Sequence, residues 1–399
     1  MSNYKLTFKL KQHTPIIHFQ HDQHGATLRA SELKPKLDKF LIEKFKEDNV
    51  DFSDWLIKGQ DKALDYKVRI KSSRQISYYL PLPTKLNSKN YPDKEINLKD
   101  YITKKLEIDF EYILPTPYFA NADKFKFKKQ SDEVDPEKTK PDELFFAVFT
   151  NNRINVTITS LNLTMLNGKF LYQFIQENLT EFFLIHNFGT RQNKGFGSFT
   201  VEEINEKEVD NDDLLKLLQD IFYKKSSSSY TGFNNIFQFI LKEYQLLKSG
   251  INIPYGRTPF YEKSKLFEYF IKKDKRWEKR YIKQKLKKNK IELKQTHNPI
   301  DYDNAEKNYY NNYTDKQEND YKYIRALLGV AEHFEFATNN RGRIKVKITH
   351  KPQNGEDQIK RFQSPLFMKV IDGSVYIKYN DTYKQIEKKY LNLNLIVIH

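Results

Sequence analysis

The chain opens on strict alternation: Leu6, Phe8 and Leu10 are apolar, and Lys5, Thr7 and Lys9 between them are polar. A period of two sends the two sets to opposite faces of a strand, so residues 4–10 predict a half-buried first strand. Residues 14–19 extend it or pair with it after a break at Pro15. Ser31 reads as an N-cap, and Leu33, Leu37, Phe40, Leu41 and Phe45 then fall at helical spacing over residues 32–45. Residues 63–72, 76–80 and 106–112 read as strands. Residues 145–150 and 154–161 read as a strand pair joined at Asn151-Asn152, residues 169–185 as a helix and residues 200–204 as a strand. Strand, helix, several strands, helix, strand predicts an α+β domain with an antiparallel sheet, built on a ferredoxin-like core.

The second half is less regular. Residues 210–222 predict a short helix, and the run Lys224-Lys225-Ser226-Ser227-Ser228-Ser229 reads as a linker. An amphipathic helix over residues 232–248 follows. The charged, proline-containing stretch 124–143 and the Tyr-rich stretch 302–323 read as exposed polar segments. Residues 343–348 alternate as a strand, residues 367–371 and 374–379 bracket Asp372-Gly373 as a hairpin, and residues 391–398 close the chain as a strand.

Charge changes the picture. Lys and Arg total 68 against 52 acidic residues, giving a net charge of +16 and a pI near 9.3. Such an excess favours a polyanionic partner, nucleic acid first, through release of condensed counterions. The chain holds 30 Phe and 26 Tyr; tyrosine interleaved with lysine suits stacking on unpaired bases. A codon bias toward Lys, Asn, Ile, Tyr and Phe inflates both signals, yet does not produce an excess of Lys over Glu. The densest basic stretch is 263–294, with fourteen cations against Glu268, Asp274, Glu278 and Glu292, and with Phe270, Trp277 and Tyr281 interleaved. It reads as a solvated helix or as a backbone-tracking segment.

There is no cysteine, which excludes disulfides, thiolate metal sites and cysteine nucleophiles. No apolar run approaches the ~20 residues of a membrane helix, and residues 1–10 lack a signal-peptide core. The expectation is a cytoplasmic protein without a membrane partner. No Walker loop, G-x-S-x-G or H-E-x-x-H pattern occurs.

Candidate chemistry gathers at three places. Gly189, Gly195 and Gly197 fall within nine residues of a chain with only 13 glycines, and Arg191 and Lys194 lie between them. Glycine allows close approach of backbone to a ligand, and free N–H groups beside two cations suit a phosphate backbone. The plain alternative is a tight helix-to-strand turn with ordinary surface charges. Arg29, Lys34 and Lys36 lie at the start of the first helix, where a positive partial charge also suits phosphate. His18, His21 and His24 fall within seven residues beside Asp22. Histidines so placed suit general acid–base cleavage of RNA or a metal site, and equally a polar loop that faces RNA or water.

These residues carry a resemblance. The first strand with Thr14-Pro15, the segment Leu28-Arg29-Ala30-Ser31-Glu32-Leu33-Lys34-Pro35-Lys36-Leu37 and the loop Gly189-Thr190-Arg191-Gln192-Asn193-Lys194-Gly195-Phe196-Gly197 resemble the RAMP superfamily, the RNA-binding proteins of CRISPR systems. Arg325-Ala326-Leu327-Leu328-Gly329-Val330 and Arg361-Phe362-Gln363-Ser364-Pro365-Leu366 are similar to a motif pair of the larger RAMP subunits, the first subunit of the type III-B Cmr complex being the nearest. The resemblance covers residues 1–205 and 320–399. It implies two RAMP-like, ferredoxin-like (RRM-type) halves: an N-terminal domain at 1–205, a helical basic insertion at 206–320, and part of a second RAMP-like domain at 321–399.

It further implies a non-catalytic subunit that holds crRNA, with target RNA as a second candidate, beside other CRISPR effector subunits in antiviral defence. The implied RNA contacts are Arg29, Lys34, Lys36, Gly189, Arg191, Lys194, Gly195 and Gly197, with no cofactor and no metal. Two alternatives stay open: a metal-independent endoribonuclease processing pre-crRNA with His21 or His24 as general acid–base, and a purely structural assembly subunit.

Overall fold

A computed structural model describes residues 4–18, 27–71, 75–83, 110–116, 147–226, 228–248, 250–253, 260–272, 276–277, 282, 286–287, 289–292, 321–322, 333–338, 343–349, 364–379 and 396–398. The chain forms two compact units, Met1–Ile240 with Phe367–Lys378, and Leu241–Leu366 with Tyr379–His399.

The first unit begins with β1 (Lys5–Gln12), β2 (Ile16–Ile17) and α1 (Ala30–Glu47). Strands β3 (Lys67–Lys71), β4 (Ser77–Pro83), β5 (Phe110–Thr116), β6 (Ala147–Phe149), β7 (Ile154–Thr159), β8 (Met165–Leu166) and β9 (Lys169–Phe170) follow. Then come α2 (Leu171–Ile185), β10 (Phe199–Ile204), β11 (Lys207–Glu208), α3 (Asn211–Ile221), β12 (Lys224–Lys225) and α4 (Phe233–Lys248).

The second unit takes up the chain at Leu241, within α4, and continues with β13 (Ile251–Ile253), β14 (Phe260–Glu262), α5 (Lys265–Lys272), β15 (Arg276–Trp277), β16 (Tyr321–Lys322), β17 (His333–Ala337) and β18 (Arg343–Thr349). After it, β19 (Leu366–Ile371) and β20 (Ser374–Tyr379) return to the first unit, and β21 (Ile396–Ile398) pairs with β18. Within the second unit β17, β18 and β21 make an antiparallel sheet, and β13 pairs with β14.

The main sheet of the first unit has the order β11-β10-β1-β7-β3. Its pairings are all antiparallel, so β1 runs parallel to β3 and β7 parallel to β10. Helix α1 links the first of these pairs and α2 the second. The alternation expected of residues 4–10 holds: Leu6, Phe8 and Leu10 are buried with Ile154, Val156 and Ile158 of β7 under the two helices. From the helices come Leu33, Leu37 and Leu41 on one side and Ile175, Leu179 and Phe183 on the other. Phe45 stacks on Phe174 at 4.3 Å between ring centres and on Phe52 at 5.2 Å. Each fully buried side chain of this size contributes about 1.5–3 kcal/mol, so this layer holds the unit together.

Four expectations need correction. Residues 14–19 neither extend β1 nor pair with it: β1 ends at Gln12, and after Pro15, which has no N–H to donate, β2 pairs in a second sheet, β2-β6-β4-β5. Strands β6 and β7 are not a hairpin, since β6 pairs in that second sheet and β7 in the first. Arg29, not Ser31, is the N-cap of α1, in extended conformation and with no side-chain capping bond. The serine run is not a loose linker: Lys224–Lys225 pair with β20, the Ser226 N–H donates to the Val375 carbonyl at 2.8 Å, and Ser229 meets Ser374 at 2.8 Å. The hairpin at Asp372-Gly373 is present, with both residues at positive φ. The stretch 124–143, most of 302–323 and part of 261–294 lie outside the described residues.

Candidate functional site

The loop between α2 and β10 is folded between two neighbours, the Pro15–Ile17 segment and β19. All three glycines have positive φ, and what occupies the place of their missing side chains is protein. A Cβ on Gly189 would collide with the Ile17 carbonyl oxygen, one on Gly197 with the Phe188 carbonyl oxygen, and one on Gly195 would come within 2.8 Å of the Ile240 side chain. The close approach that glycine permits is therefore made inside the molecule. Backbone N–H groups of the loop are spent the same way: Phe188 donates to Gly197, Thr190 to Ile17, Lys194 to Arg191, Gly195 to Gln192 and Gly197 to Pro15. The Thr14 hydroxyl donates to the Gly195 carbonyl at 2.6 Å and accepts from the Ser198 N–H at 3.0 Å. These bonds explain why the Thr-Pro pair after the first strand accompanies this loop.

The predicted cations divide. Lys34 donates to Asp38 at 2.7 Å and to the Leu64 carbonyl at 2.9 Å, above the Tyr66 ring. Lys36 is directed inward. Its ammonium donates to the Asn187 carbonyl at 2.6 Å and to the Gln192 side chain, over the Phe188 ring, and burial lowers its pKa to about 8. Both lysines thus serve the packing of α1 in this structure. Arg191 sits at φ 55, half-buried, and burial lowers its pKa to about 9. Lys194, also half-buried, bridges to Met368 through its backbone. Arg29 marks the start of α1.

The helix start and the loop meet across β2. The Thr190 N–H donates to Ile17 at 2.7 Å, and the next residue, His18, is buried and 2.9 Å from Glu32 in the first turn of α1. Among the described residues, buried side-chain atoms without a hydrogen-bond partner include Thr27 Oγ1, Glu32 Oε2 and Thr190 Oγ1. Buried polar atoms are normally satisfied, and these three belong to the segment that leads into α1, to its first turn and to the glycine loop. His21 and His24 lie outside the described residues, and among the described residues no cluster is suited to a metal ion.

Sequence reasoning missed Lys369. It is fully buried in β19, and its ammonium reaches Phe183 O, His186 O, Phe199 O and Asn187 Oδ1 at 2.6–3.1 Å. A single lysine inside the apolar run Leu366-Phe367-Met368-Lys369-Val370-Ile371 was the available signal. Asn187 completes the clamp by donating to Gln192 and Met368 carbonyls. His186 donates to the Phe182 carbonyl at 2.9 Å, and burial pushes its pKa to about 3, which overrides the attraction of the helix end for a cation.

A mixed α/β unit in which a glycine-rich loop between the second helix and the next strand packs against the Thr-Pro segment after the first strand is consistent with a RAMP-like fold. Residues 3–251 match the Cmr1 N-terminal domain model and residues 261–394 the Cmr1 C-terminal domain model, and the chain belongs to this family. No curated protein matches it. Solved structures with similarity include a chain of "Cryo-EM structure of the Type III-B Cmr-beta bound to cognate target RNA". That chain is 13% identical, covering 53% of this chain and 56% of that one, with a TM-score of 0.27. A second, from the same assembly with target RNA and AMPPnP, state 2, in the presence of ssDNA, is 14% identical over 66% of this chain and 68% of that one, with a TM-score of 0.29. The match thus spans little more than half of the first of these chains. Among the described residues no helix is long and apolar enough to cross a membrane.

Proposed function

We propose that the chain is a non-catalytic RNA-holding subunit of a type III CRISPR effector, gripping crRNA, and target RNA as a second candidate, where the start of α1 meets the glycine loop. Membership of the Cmr1 family supports the setting. The strand order β10-β1-β7-β3, with one helix after the first strand and one after the third, supports reading the first unit as a ferredoxin-like RAMP half. The observation that carries the site is the trio of unsatisfied buried oxygens on Thr27, Glu32 and Thr190. The hydroxyls of Thr27 and Thr190 can donate to phosphate or ribose oxygens. The free oxygen of Glu32 can accept from a 2′-OH, the group that separates RNA from DNA. Arg29, Arg191 and Lys194 supply cations around them, and the uncapped N–H groups of α1 add a positive partial charge. The grip reads backbone and sugar, leaving sequence to base pairing.

The test is titration of the full chain with a crRNA-like single strand, and with DNA of the same sequence, at rising salt. The expected result is RNA binding at low salt that weakens steadily with salt, a preference for RNA over DNA that shrinks in Glu32→Gln, and at least tenfold weaker binding in Arg191→Glu/Lys194→Glu. Absence of RNA affinity at low salt overturns the reading.

A further inference from the structure

The five-stranded sheet has a second face, turned away from α1 and α2. On β1 the residues of that parity are Lys5, Thr7, Lys9 and Lys11; on β7 they are Asn155, Thr157 and Thr159; on β3 they are Lys67, Arg69 and Lys71. The register sets them in rows: Lys67, Thr159 and Lys5; Arg69, Thr157 and Thr7; Lys71, Asn155 and Lys9. Lys5, Lys67, Arg69 and Lys71 are exposed. Charge on this face is asymmetric. Toward β10 it is neutralised, Lys9 by Glu203 at 2.8 Å and Lys11 by Asp372 at 2.8 Å. Toward the β3 edge no carboxylate of the described residues meets Lys5, Lys67, Arg69 or Lys71.

We infer that this β3-side face is a second phosphate-backbone track, binding an extended single strand of RNA through Lys67, Arg69, Lys71 and Lys5. Lysine on an edge strand commonly serves only to discourage edge-to-edge pairing. One or two charges suffice for that, and the pattern here continues inward across β7 to Lys5 on β1. Along β3 the three cations recur about every 6.6 Å, the rise of two strand residues. That is close to the interval between successive phosphates on an extended chain. A polymer with one charge per repeat fits such a row better than the irregular carboxylates of an acidic protein. The middle strand carries only Thr and Asn, short side chains that let a backbone lie flat and offer hydroxyls to it. The rows hold no aromatic side chain, so bases have no stacking platform and the track is blind to sequence.

This inference rests on the chain being an RNA-holding protein and adds a surface distinct from the α1–loop juncture. The experiment compares the full-length wild type, Lys67→Glu/Arg69→Glu/Lys71→Glu, the milder Lys67→Gln/Arg69→Gln/Lys71→Gln, and Arg191→Glu/Lys194→Glu. Each is titrated with one crRNA-like single strand at several salt concentrations, and photo-crosslinked RNA is mapped on the wild type. Three lost phosphate contacts on a single strand lower the slope of log affinity against log salt by about 2. The expected outcome is that drop in both β3 variants, at least tenfold weaker binding at low salt in the glutamine set, and crosslinks in the β3 peptide. Wild-type-like binding by both β3 variants, alongside lost binding in the Arg191/Lys194 variant, overturns this track and leaves the proposed function standing. Unchanged RNA binding with loss of co-assembly with an acidic protein also overturns it. A wild type without RNA affinity overturns the proposed function itself.

Discussion

The ammonium of Lys369 lies 2.6 Å from the carbonyl oxygen of Phe183, inside the last turn of α2. The same group reaches the carbonyls of His186 and Phe199, so one strand near the C-terminal end of the chain holds both ends of the glycine loop. Among the described residues it has no carboxylate partner; its stabilisation comes from carbonyl dipoles and from the negative end of the helix. Burial drives its pKa far down, and Lys36 adds to the effect.

Replacing Lys369 by Met keeps most of the volume and removes the donor. Four acceptors then lose a shared partner, each buried orphan costing about 1–3 kcal/mol. Lys369→Met is expected to lower the thermal midpoint of the full chain clearly and to loosen residues 186–199, read as faster amide exchange in that segment. Wild-type protection there would show that the clamp does not depend on the ammonium.

The glycines give a paired prediction. Gly59 and Gly197 both have positive φ, at +80 and +63. Nothing lies within 4 Å of a Cβ on Gly59, so Gly59→Ala pays only left-handed strain of about 1–2 kcal/mol. Gly197→Ala adds a collision with the Phe188 backbone and is expected to cost several times more, read in urea unfolding. Equal costs would mean that the loop relaxes away from Phe188.

The same comparison shows what the chain's pattern could reveal. Alternation at Leu6, Phe8 and Leu10 and helical spacing from Leu33 to Phe45 report which face is buried, and β1 and α1 follow from them. Asp372-Gly373 announces its hairpin because the turn needs positive φ locally. Partners at long range leave no such trace. Gly189 reads as an invitation to a ligand until Ile17 is found in the space, and Lys36 reads as a surface cation until Asn187 is found beneath it. The serine run looked like a linker because the β20 backbone that it bonds lies some 150 residues away in sequence.

His186 makes stability depend on pH in a stated direction. Its folded pKa, about 3, lies below the ordinary value of 6.5 because Phe40 and Phe182 enclose it and Lys36, Lys369 and Lys378 repel its charged form. Between those values the unfolded chain binds more protons than the folded one, so stability falls as pH drops from 6.5. Buried His13 is shifted the same way. Asp372 is held low by His13 and Lys11, so its contribution is lost only under more acidic conditions, below the ordinary carboxylate range. Midpoints of unfolding should therefore fall between pH 6.5 and 5. In His186→Phe, which keeps the ring and removes the proton site, the fall should be shallower; an unchanged profile would assign it elsewhere.

Lys36 separates a residue that touches RNA from one that shapes the surface RNA meets. Its ammonium is engaged by Asn187 and Gln192, and with a pKa near 8 against an ordinary 10.5 it makes the folded state gain stability as pH rises between those values. Lys36→Met abolishes that rise, and with two acceptors orphaned it costs about 1–3 kcal/mol at neutral pH. It removes no phosphate contact, so the salt slope of RNA binding by the folded variant should equal that of the wild type. A slope lower by about 0.7, the value for one contact on a single strand, would return Lys36 to the RNA interface and require its bonds to the glycine loop to open on binding.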